Sequence, residues 1–305
     1  MFEIVEKNEL AHNIFEMKVK APRVAQSALP GQFIIVRTDE QGERIPLTIC
    51  DYDANEGTVT IVTQIVGISS QKICDLNVGD CFADFAGPLG QPSEMVNEDI
   101  EELKKKRFLF VAGGVGTAPV YPQVKWLAER GIEADVIIGA KTKDLFTYVE
   151  PMRKVGNVYL CTDDGSEGFH GMVTGLMEHL VENEGKKYDT CVIIGPMIMM
   201  KFAALTTKKY DIPTIVSLNA LMVDGTGMCG ACRVSVGGKT LFTCVDGPEF
   251  DGHQVDFDEA MRRQAMYRDN KKTNPETHKC TDIVEYINNL MEDIQNNLYN
   301  RAKTR

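Results

Sequence analysis

Residues 107–119 read RFLFVAGGVGTAP and contain the features that decide the fold. The first half is a short apolar run with the length and composition of a strand buried on both faces. Glycines follow at Gly113, Gly114 and Gly116, and the segment 118–131 has the composition of a helix. A buried strand, a glycine-rich turn and a helix form the repeating unit of a parallel α/β sheet.

The same alternation continues downstream. It predicts strands in EADVIIGA, NVYLCTDDGS and YDTCVIIGP, and helices in MVTGLMEHLVEN and IMMKFAALTTKKY. Strands that alternate with helices are typical of a doubly wound parallel sheet. We therefore predict an α/β domain over residues 98–216.

The residues before this domain read as β structure. Short alternating segments such as GQFIIVRT and GTVTIVTQIV are separated by Gly, Pro and Asp turns, which is typical of a small antiparallel barrel. SSQKICDL is the one helix predicted inside it, and MVNEDIEELKKKR is a polar connection to the next domain. The predicted barrel covers residues 1–97.

The C-terminal part is different again. Residues 217–256 are rich in Gly and Cys and predict a small cluster-binding domain, and residues 257–305 predict a helical extension. Within that extension an apolar stripe at helical spacing consists of Ile283, Tyr286, Ile287, Leu290, Ile294 and Leu298. The stripe could dock on a partner or pack on its own chain.

Bulk composition limits the function classes. A chain of 305 residues predicts two or three domains. Its net charge of −11 argues against nucleic-acid binding, which needs a basic surface. The cysteines are odd in number, nine, and six of them are scattered, which indicates a reducing compartment rather than a disulfide framework.

Two apolar or terminal segments bear on location. The N-terminal residues MFEIVEKNEL lack the apolar core of a signal peptide. The apolar run CVIIGPMIMM contains Gly and Pro and is too short to span a bilayer. We therefore expect a cytoplasmic protein that does not bind membranes.

Loops after three of the predicted strands are candidates for a dinucleotide site. They are VAGGVGTAP, TDDGSEGFHG and GPMIMM, and ligands of open α/β sheets bind beyond the carboxyl ends of the strands. Glycines allow close approach of the backbone to a phosphate or ribose. The first loop does not match G-x-G-x-x-G, so a tight turn without a ligand remains the alternative.

Charges near these loops bear on the choice of nucleotide. Asp163, Asp164 and Glu167 would repel a ribose 2′-phosphate, which favours NAD over NADP. Lys141 and Lys143 follow another strand and could instead hold a phosphate.

Two motifs of the β domain combine small, hydroxyl and cationic residues. RIPLTI, residues 44–49, brings a cation and a hydroxyl near each other. GISS, residues 67–70, places two hydroxyls at a predicted helix start, where they could bind an anion or serve as a plain helix cap.

Cysteines in VDGTGMCGACRVSVGGKTLFTC indicate a metal centre. Cys229, Cys232 and Cys244 match the last three ligands of the plant-type [2Fe–2S] spacing, and Asp224 stands where the first cysteine is expected. A carboxylate carries the charge of a thiolate and can bind ferric iron, so we predict Asp224 as the fourth ligand. The alternatives are a zinc site completed by His253 and a cluster of free thiols.

These motifs, in this order, resemble those of the ferredoxin–NADP⁺ reductase superfamily. RIPLTI is similar to its flavin motif, GISS to its pyrophosphate motif, and GGVGTAP and GPMIMM to its nicotinamide loops. The cluster loop is similar to that of the electron-transfer subunits of dihydroorotate dehydrogenase. Asp224 and the segment VDFDEAMRRQAMYRD resemble more closely the small subunit of NADH-dependent ferredoxin:NADP⁺ oxidoreductases.

The resemblance implies FAD, NAD(H) and one [2Fe–2S] cluster as cofactors. It makes the barrel over residues 1–97 the FAD-binding domain and the α/β domain over residues 98–216 the NAD-binding domain. The implied flavin residues are Arg44, Pro46, Leu47, Thr48, Val62, Thr63, Gln64, Gly67, Ser69, Ser70, Gly87 and Gly90, with the Thr48 hydroxyl near flavin N5. The implied nicotinamide residues are Gly113, Gly114, Val115, Gly116, Thr117, Ala118, Pro119, Asp164, Gly165, Ser166, Gly195, Pro196 and Met197.

The resulting hypothesis is an electron-transfer subunit that exchanges hydride between NAD(H) and FAD and passes single electrons through the cluster. The resemblance implies a heterodimer with a large flavoprotein subunit that carries [4Fe–4S] clusters and handles NADP(H). Electron bifurcation to ferredoxin would occur through that partner. The alternatives are a dihydroorotate dehydrogenase electron-transfer subunit and a non-catalytic, zinc-bearing protein that senses NAD(H).

Overall fold

A computed structural model describes residues 2–266 of the chain. Met1 and residues 267–305 lie outside the described part. The predicted apolar stripe from Ile283 to Leu298 therefore lies outside the described residues.

The N-terminal part is an antiparallel barrel-like sheet of seven strands, as the alternating sequence predicts. The strands are β1 (Phe2–Ala11), β2 (Ile14–Lys20), β3 (Phe33–Arg37), β4 (Ile45–Asp53), β5 (Thr58–Gln64), β6 (Cys81–Phe82) and β7 (Asp84–Leu89). They are ordered β6-β1-β2-β5-β4-β3-β7. Side chains from one face of these strands, among them Ile34, Val36 and Ile61, form the buried core of the barrel.

Two helices accompany the barrel. α1 (Pro22–Ser27) was not predicted; it begins at a proline, whose missing N–H costs nothing in the first helical turn. α2 (Ile68–Asp75) confirms the predicted helix in SSQKICDL and buries Ile73 and Cys74. The polar connection after the barrel contains a 3₁₀ turn, Glu94–Asn97, and one helical turn, α3 (Ile100–Leu103), with Asp99 as its N-cap.

The predicted α/β domain is present. Its strands are β8 (Phe108–Gly113), β9 (Ala134–Ala140), β10 (Asn157–Thr162), β11 (Phe169–His170), β12 (Thr190–Ile194) and β13 (Thr214–Ser217), and all the pairs they form with one another are parallel. Its helices are α4 (Thr117–Ala128), α5 (Val149–Arg153), α6 (Val173–Glu182) and α7 (Met197–Lys209). Separate apolar cores cover the two faces, one beneath α4 and α5 and the other beneath α6 and α7.

The strand order β11-β10-β9-β8-β12-β13 locates the ligand edge of this sheet. The chain starts at β8 in the middle, moves outward through β9 and β10, and then returns to the other side of β8 with β12. The strand order therefore reverses between β8 and β12. In open α/β sheets the crevice beyond this reversal is where ligands bind.

The third part has a hairpin and a strand that joins the α/β sheet. The hairpin strands are β14 (Arg233–Val236) and β15 (Lys239–Phe242), joined by Gly237 and Gly238, both at positive φ, as tight hairpin turns require. β16 (Glu249–Asp251) pairs antiparallel with β13, Ser217 opposite Glu249. This addition was not predicted, because three- and four-residue strands are too short to show a period.

The chain then forms α8 (Phe257–Gln264), which confirms the start of the predicted helical extension. The Asp256 carboxylate caps it by accepting from the Glu259 N–H at 2.9 Å. Phe257 and Ala260 bury against the core beneath α7. Among residues 2–266 there is no helix both long and apolar enough to cross a membrane.

Candidate functional site

Two glycines mark the reversal point of the α/β sheet. β8 ends at Gly113, and Gly195 follows β12, whose Ile194 pairs with Ala112. A Cβ atom built on Gly195 would lie 3.2 Å from the Gly113 nitrogen and 2.7 Å from Met199 Cε. The two strand ends therefore approach each other at the crevice predicted for the dinucleotide.

The glycines of the turn after β8 have different physical roles. A Cβ on Gly113 would meet Met199 Sδ at 2.3 Å, and one on Gly116 would meet the Ile194 carbonyl oxygen at 2.2 Å. These two positions are glycine because the turn packs tightly on the neighbouring strand end. Gly114 has φ of +57° and no atom within 4 Å of its Cβ position, so this position faces open space that a ligand can approach.

The helix after this turn is held to it by a buried threonine. α4 begins at Thr117, whose Oγ1 donates to the Gly114 carbonyl oxygen at 3.1 Å. Val115 completes the turn, and Ala118 and Pro119 belong to the first turn of the helix. The N-terminus of a twelve-residue helix thus lies beside the crevice, where its dipole favours an anion.

The acidic loop after β10 and the lysine loop after β9 are joined. Ser166 Oγ accepts from the Lys143 N–H at 2.9 Å, and the Asp164 N–H donates to the Lys141 carbonyl oxygen at 3.3 Å. Asp164 Oδ1 accepts from the Ser166 N–H at 3.0 Å. Hydrogen bonds from the Ser166 side chain and then its backbone lower the pKa of Asp164, so this exposed carboxylate is charged beside the lysines. Gly165, at φ of +74°, forms the turn between them.

Strand β4 presents the predicted flavin residues on two faces. Pro46 and Thr48 pair with Ile35 and Phe33 of β3 and lie two positions apart, hence on the same face. Leu47 packs against the barrel core, so its side chain lies on the opposite face from Thr48. Any flavin contact of Leu47 is therefore through its backbone.

Arg44, just before β4, connects the barrel to the cysteine loop. Its Nε donates to the Val223 carbonyl oxygen at 2.9 Å, and its Nη1 lies 3.5 Å from Asp84 Oδ2. Asp84 also pairs with Arg37 Nε at 2.8 Å. The guanidinium is thus fixed between β7 and the loop, with about a third of its side chain exposed.

The GISS hydroxyls are engaged within the protein. Ser70 Oγ accepts from the N–H groups of Val66 at 2.8 Å and Gly67 at 2.9 Å, so Ser70 caps the start of α2. Ser69 Oγ hydrogen-bonds to Glu43. Ser70 therefore serves as a helix cap. Gly67 is in extended conformation before the helix and has no side chain that would block an anion.

The end of β5 carries the predicted flavin residues Val62, Thr63 and Gln64. The Thr63 hydroxyl oxygen is buried and has no hydrogen-bond partner within residues 2–266. Thr63 lies on the same face of β5 as the barrel-core residues Val59 and Ile61, so its hydroxyl points into the barrel and not toward a ligand beside the strand. Val62 and Gln64, its half-buried neighbours, lie on the other face of the strand.

The two remaining glycines of the predicted flavin set have packing roles. A Cβ on Gly87 would meet Ile34 Cγ2 at 2.4 Å, and one on Gly90 would meet Phe33 Cε1 at 2.8 Å. Both glycines allow the chain after β7 to lie closely on β3. They therefore shape the barrel edge beside the cluster loop.

The three cysteines lie on the loop and hairpin of the third part. Cys232 and Cys244 are buried with their sulfurs 3.2 Å apart, and the Cys244 N–H points at Cys232 Sγ at 3.4 Å. Cys229 lies exposed on the loop. Cys232 and Cys244 pack with Phe33 and Ile35 of β3, the strand that pairs with Thr48 and Pro46.

Asp224 organises the loop that carries Cys229. Its Oδ2 accepts from the N–H groups of Cys229 at 2.9 Å and Met228 at 3.0 Å, and its Oδ1 from Thr226 at 3.1 Å. Although desolvation opposes ionisation, these backbone donors lower the pKa of Asp224 to about 2. The side chain is therefore a carboxylate, as a ligand to iron must be.

The donor set fits an iron–sulfur cluster in its chemistry and its location. Three thiols and one ionised carboxylate are carried by one loop and its hairpin. In the described part of the chain, however, no three His, Cys, Asp or Glu side chains converge as a metal site, so the assembled ligand set remains a prediction. His253 hydrogen-bonds to Thr207 on α7 at 3.0 Å, and the zinc set that includes it is likewise not assembled.

Comparison with known proteins identifies the family. The iron–sulfur cluster binding domain of dihydroorotate dehydrogenase B matches residues 219–256, the segment that contains Asp224 and the three cysteines. A Thermotoga maritima homolog of the dihydroorotate dehydrogenase B (NAD(+)) electron transfer subunit is 44% identical over 270 residues, 88% of this chain and 93% of the relative. The chain belongs to this electron-transfer subunit family.

Two further similarities agree with this membership. An uncharacterized Clostridium beijerinckii protein from an adh 3′ region is 64% identical over 269 residues, 88% of this chain and 91% of that protein. A solved structure described as the NADH-dependent reduced ferredoxin-NADP oxidoreductase, in a study of flavin-based electron bifurcation, is 42% identical. It superposes with a TM-score of 0.83 over 90% of this chain and 97% of that one.

Family membership confirms the predicted fold class and function class, an electron-transfer subunit with flavin, nicotinamide and iron–sulfur cofactors. The individual ligand residues of the electron-transfer subunit remain predictions. Sequence reasoning missed Glu16, Tyr148 and Glu249, which join the parts of the subunit around the site. They belong to no local motif, and the left-handed backbone of Tyr148 (φ +59°) has no sequence signal.

Proposed function

We propose that this subunit exchanges hydride between NAD(H) and FAD and passes single electrons to a partner through a [2Fe–2S] cluster. The observation that carries the proposal is the shared contact with β3. The predicted flavin strand pairs with β3 on one side, and Cys232 and Cys244 pack on Phe33 and Ile35 of the same strand. One strand thus separates the predicted flavin site from the cluster ligands.

The protein's contribution is to hold the cofactors in register. When bound, FAD supplies the conversion of a hydride into single electrons, and no protein acid or base is obligatory. The face of Pro46 and Thr48, the half-buried face of β5 at Val62 and Gln64, and the start of α2 at Gly67 would hold the flavin. The crevice between Gly113 and Gly195, with Gly114 exposed beside the α4 N-terminus, would hold the nicotinamide nucleotide.

The cluster would be held by Asp224, Cys229, Cys232 and Cys244. Asp224 has two functions in this proposal: it holds the loop through three backbone N–H groups and supplies an oxygen ligand. The charged carboxylate and the Cys244 N–H near Cys232 Sγ are the groups through which the protein would tune the cluster.

The subunit acts with a larger partner. By its 42% identity to the NADH-dependent reduced ferredoxin-NADP oxidoreductase structure, we propose a flavoprotein partner with [4Fe–4S] clusters that handles NADP(H), in an electron-bifurcating complex with ferredoxin. The second candidate is a dihydroorotate-oxidising partner, which the match of residues 219–256 to the dihydroorotate dehydrogenase B domain favours.

Co-purification separates the two candidates. The subunit is expressed with an affinity tag in its native host under anaerobic conditions, and the stoichiometric partner is identified by mass spectrometry and assayed. A partner that reduces NADP⁺ supports the first candidate. A partner that oxidises dihydroorotate contradicts it and supports the second, and a colourless subunit with zinc and no flavin contradicts both.

A further inference from the structure

A chain of side-chain contacts links the barrel to the nicotinamide turn. Tyr148, on the loop before α5, donates from its hydroxyl to Glu16 on β2 of the barrel. Its ring lies in a small buried cluster with Cys50 of the flavin strand β4 and Ala118 of the first turn of α4. Tyr148 therefore contacts elements from both sides of the proposed hydride-transfer site.

Tyr148 is also connected to the turn through its neighbour. Thr147 Oγ1 lies 2.6 Å from Thr117 Oγ1, and both residues are buried. Since Thr117 donates its one hydroxyl proton to the Gly114 carbonyl oxygen, Thr147 is the donor to Thr117. The contacts thus run from Glu16 through Tyr148 and Thr147 to Thr117 and the Gly114 carbonyl.

The environment of Tyr148 holds its side chain in place and keeps its hydroxyl from acting as an acid or base. Burial, and next the nearby Cys50, raises the pKa of Tyr148, so its hydroxyl remains protonated and acts as a donor to Glu16. The ring packs on Tyr121 of α4 with centroids 5.3 Å apart. The residue holds φ of +59°, which is costly for a bulky side chain and persists only where surrounding contacts enforce it.

We propose that Tyr148 is a positioning residue that sets the distance between the flavin strand and the nicotinamide turn. The inference rests on the proposed hydride exchange. Its physical basis is that transfer rates depend steeply on how closely the two reacting atoms are held. Without the Tyr148–Glu16 bond, the α/β domain and the barrel would keep their own folds, but the turn at Gly114 would be held less firmly against β4.

The test uses Tyr148→Phe, which keeps the ring on Tyr121 and removes only the hydroxyl. The matched control is Tyr210→Phe, because Tyr210 also donates to a carboxylate, Glu182, but within the α/β domain. In the full chain without cofactors, hydrogen exchange is measured by mass spectrometry. We expect Tyr148→Phe to speed exchange in segments 113–120 and 14–20, and Tyr210→Phe to leave both segments unchanged.

In the FAD-loaded chain, stopped-flow measurements separate the flavin reduction rate constant from the NADH dissociation constant. We expect a loss of about tenfold in the rate constant for Tyr148→Phe, a weaker NADH–flavin charge-transfer band, and a dissociation constant within about twofold. Glu16→Ala should show the same loss of rate. Glu16→Gln should retain most of the rate, because its amide oxygen can still accept the hydrogen bond. The double variant with Tyr148→Phe and Glu16→Ala should be no slower than either single variant.

Unchanged exchange in segment 113–120, or a wild-type reduction rate in Tyr148→Phe, overturns the proposal. So does an additive loss in the double variant. A wild-type flavin that NADH does not reduce would refute the proposed hydride exchange instead, and the exchange measurement would still decide whether Tyr148 holds the turn.

Discussion

Arg44 Nε donates a hydrogen bond to the carbonyl oxygen of Val223, which lies 179 positions further along the chain and adjoins Asp224. On the other side of Asp224, the backbone of Gly225 packs directly on the barrel, because a Cβ atom there would lie 2.6 Å from Ile35 Cδ1. The proposed iron ligand is thus held on both sides by the barrel, through Arg44 just before β4 and through Ile35 of β3. This contact makes the barrel and the cluster loop one unit.

Replacing Arg44 should loosen that unit. Arg44→Met keeps the aliphatic stem but removes the donor to Val223, a loss of about 1 kcal/mol for one hydrogen bond. We expect lower retention of both FAD and iron, measured as cofactor content after gel filtration. Arg37→Met is the matched control, because Arg37 pairs with the same Asp84 but donates to the Glu40 carbonyl oxygen instead of the cluster loop. Equal losses in both variants would contradict the role assigned to the Val223 contact.

Asp224 variants separate ligation from loop support. Asp224→Ala removes both functions, and we expect iron content to fall several-fold. Asp224→Cys restores a thiolate ligand while losing the acceptor of three N–H groups, so iron should be retained with an altered electron paramagnetic resonance spectrum. Asp251→Ala, which removes a carboxylate that accepts from the His253 N–H, should retain full iron. Full iron occupancy in Asp224→Ala would refute the assignment.

Glu249 makes stability depend on pH. Its Oε1 accepts from Ser93 Oγ at 2.8 Å and Gln123 Nε2 at 2.7 Å, where the chain between barrel and α/β domain meets α4 and β16. Desolvation raises its pKa from 4.5 to about 7. The folded state therefore binds a proton that the unfolded state releases, and stability falls as pH rises from about 4.5 through 7.

Glu249→Gln should remove this dependence, because the amide is neutral and its oxygen can still accept. We expect the variant to exceed the wild type at pH 8 by roughly 1–3 kcal/mol, with a smaller difference at pH 5. Urea unfolding across this pH range measures it. A wild-type slope that persists in the variant would assign the pH dependence to other groups.

The acidic loop should determine nucleotide preference. Asp164→Asn keeps an oxygen for the Ser166 N–H and removes one negative charge beside Lys141 and Lys143. We expect NADH to be preferred by the wild type, and the NADPH-to-NADH ratio of kcat/KM to rise about three- to tenfold at low salt in the variant. Glu184→Gln, on the loop after α6, is the control. A ratio that does not change would place the ribose elsewhere.

The sequence predicted the larger architecture because its signals are local. The strand–turn–helix at residues 107–131 and the alternating strands of the barrel each show their period within one element. β13 and β16 gave no such signal, since strands of four and three residues contain too few positions for a period. Their pairing, which joins the third part to the α/β sheet, could not be predicted.

The site was predictable where chemistry follows spacing. The spacing of Cys229, Cys232 and Cys244 is enough to predict a metal centre from the sequence. The three backbone N–H groups that donate to Asp224 are brought to it only by the folded turn. The sequence predicts that Gly113 and Gly116 belong to a ligand-binding or tight turn. The contacts that exclude a side chain at these two positions, with Met199 and the Ile194 carbonyl oxygen, arise only when distant parts of the chain meet. The same holds for Tyr148 and Glu16.

The central claim is that electrons from NADH reach the cluster singly by way of the flavin. The most direct measurement is electron paramagnetic resonance of the anaerobically reconstituted chain, frozen after addition of NADH and recorded beside the absorbance of the flavin. We predict that the flavin absorbance falls and that a reduced [2Fe–2S] signal appears, and that the signal is several-fold weaker in Asp224→Ala. A flavin bleached by NADH while the cluster remains fully oxidised, or a flavin that NADH does not bleach, would contradict the account.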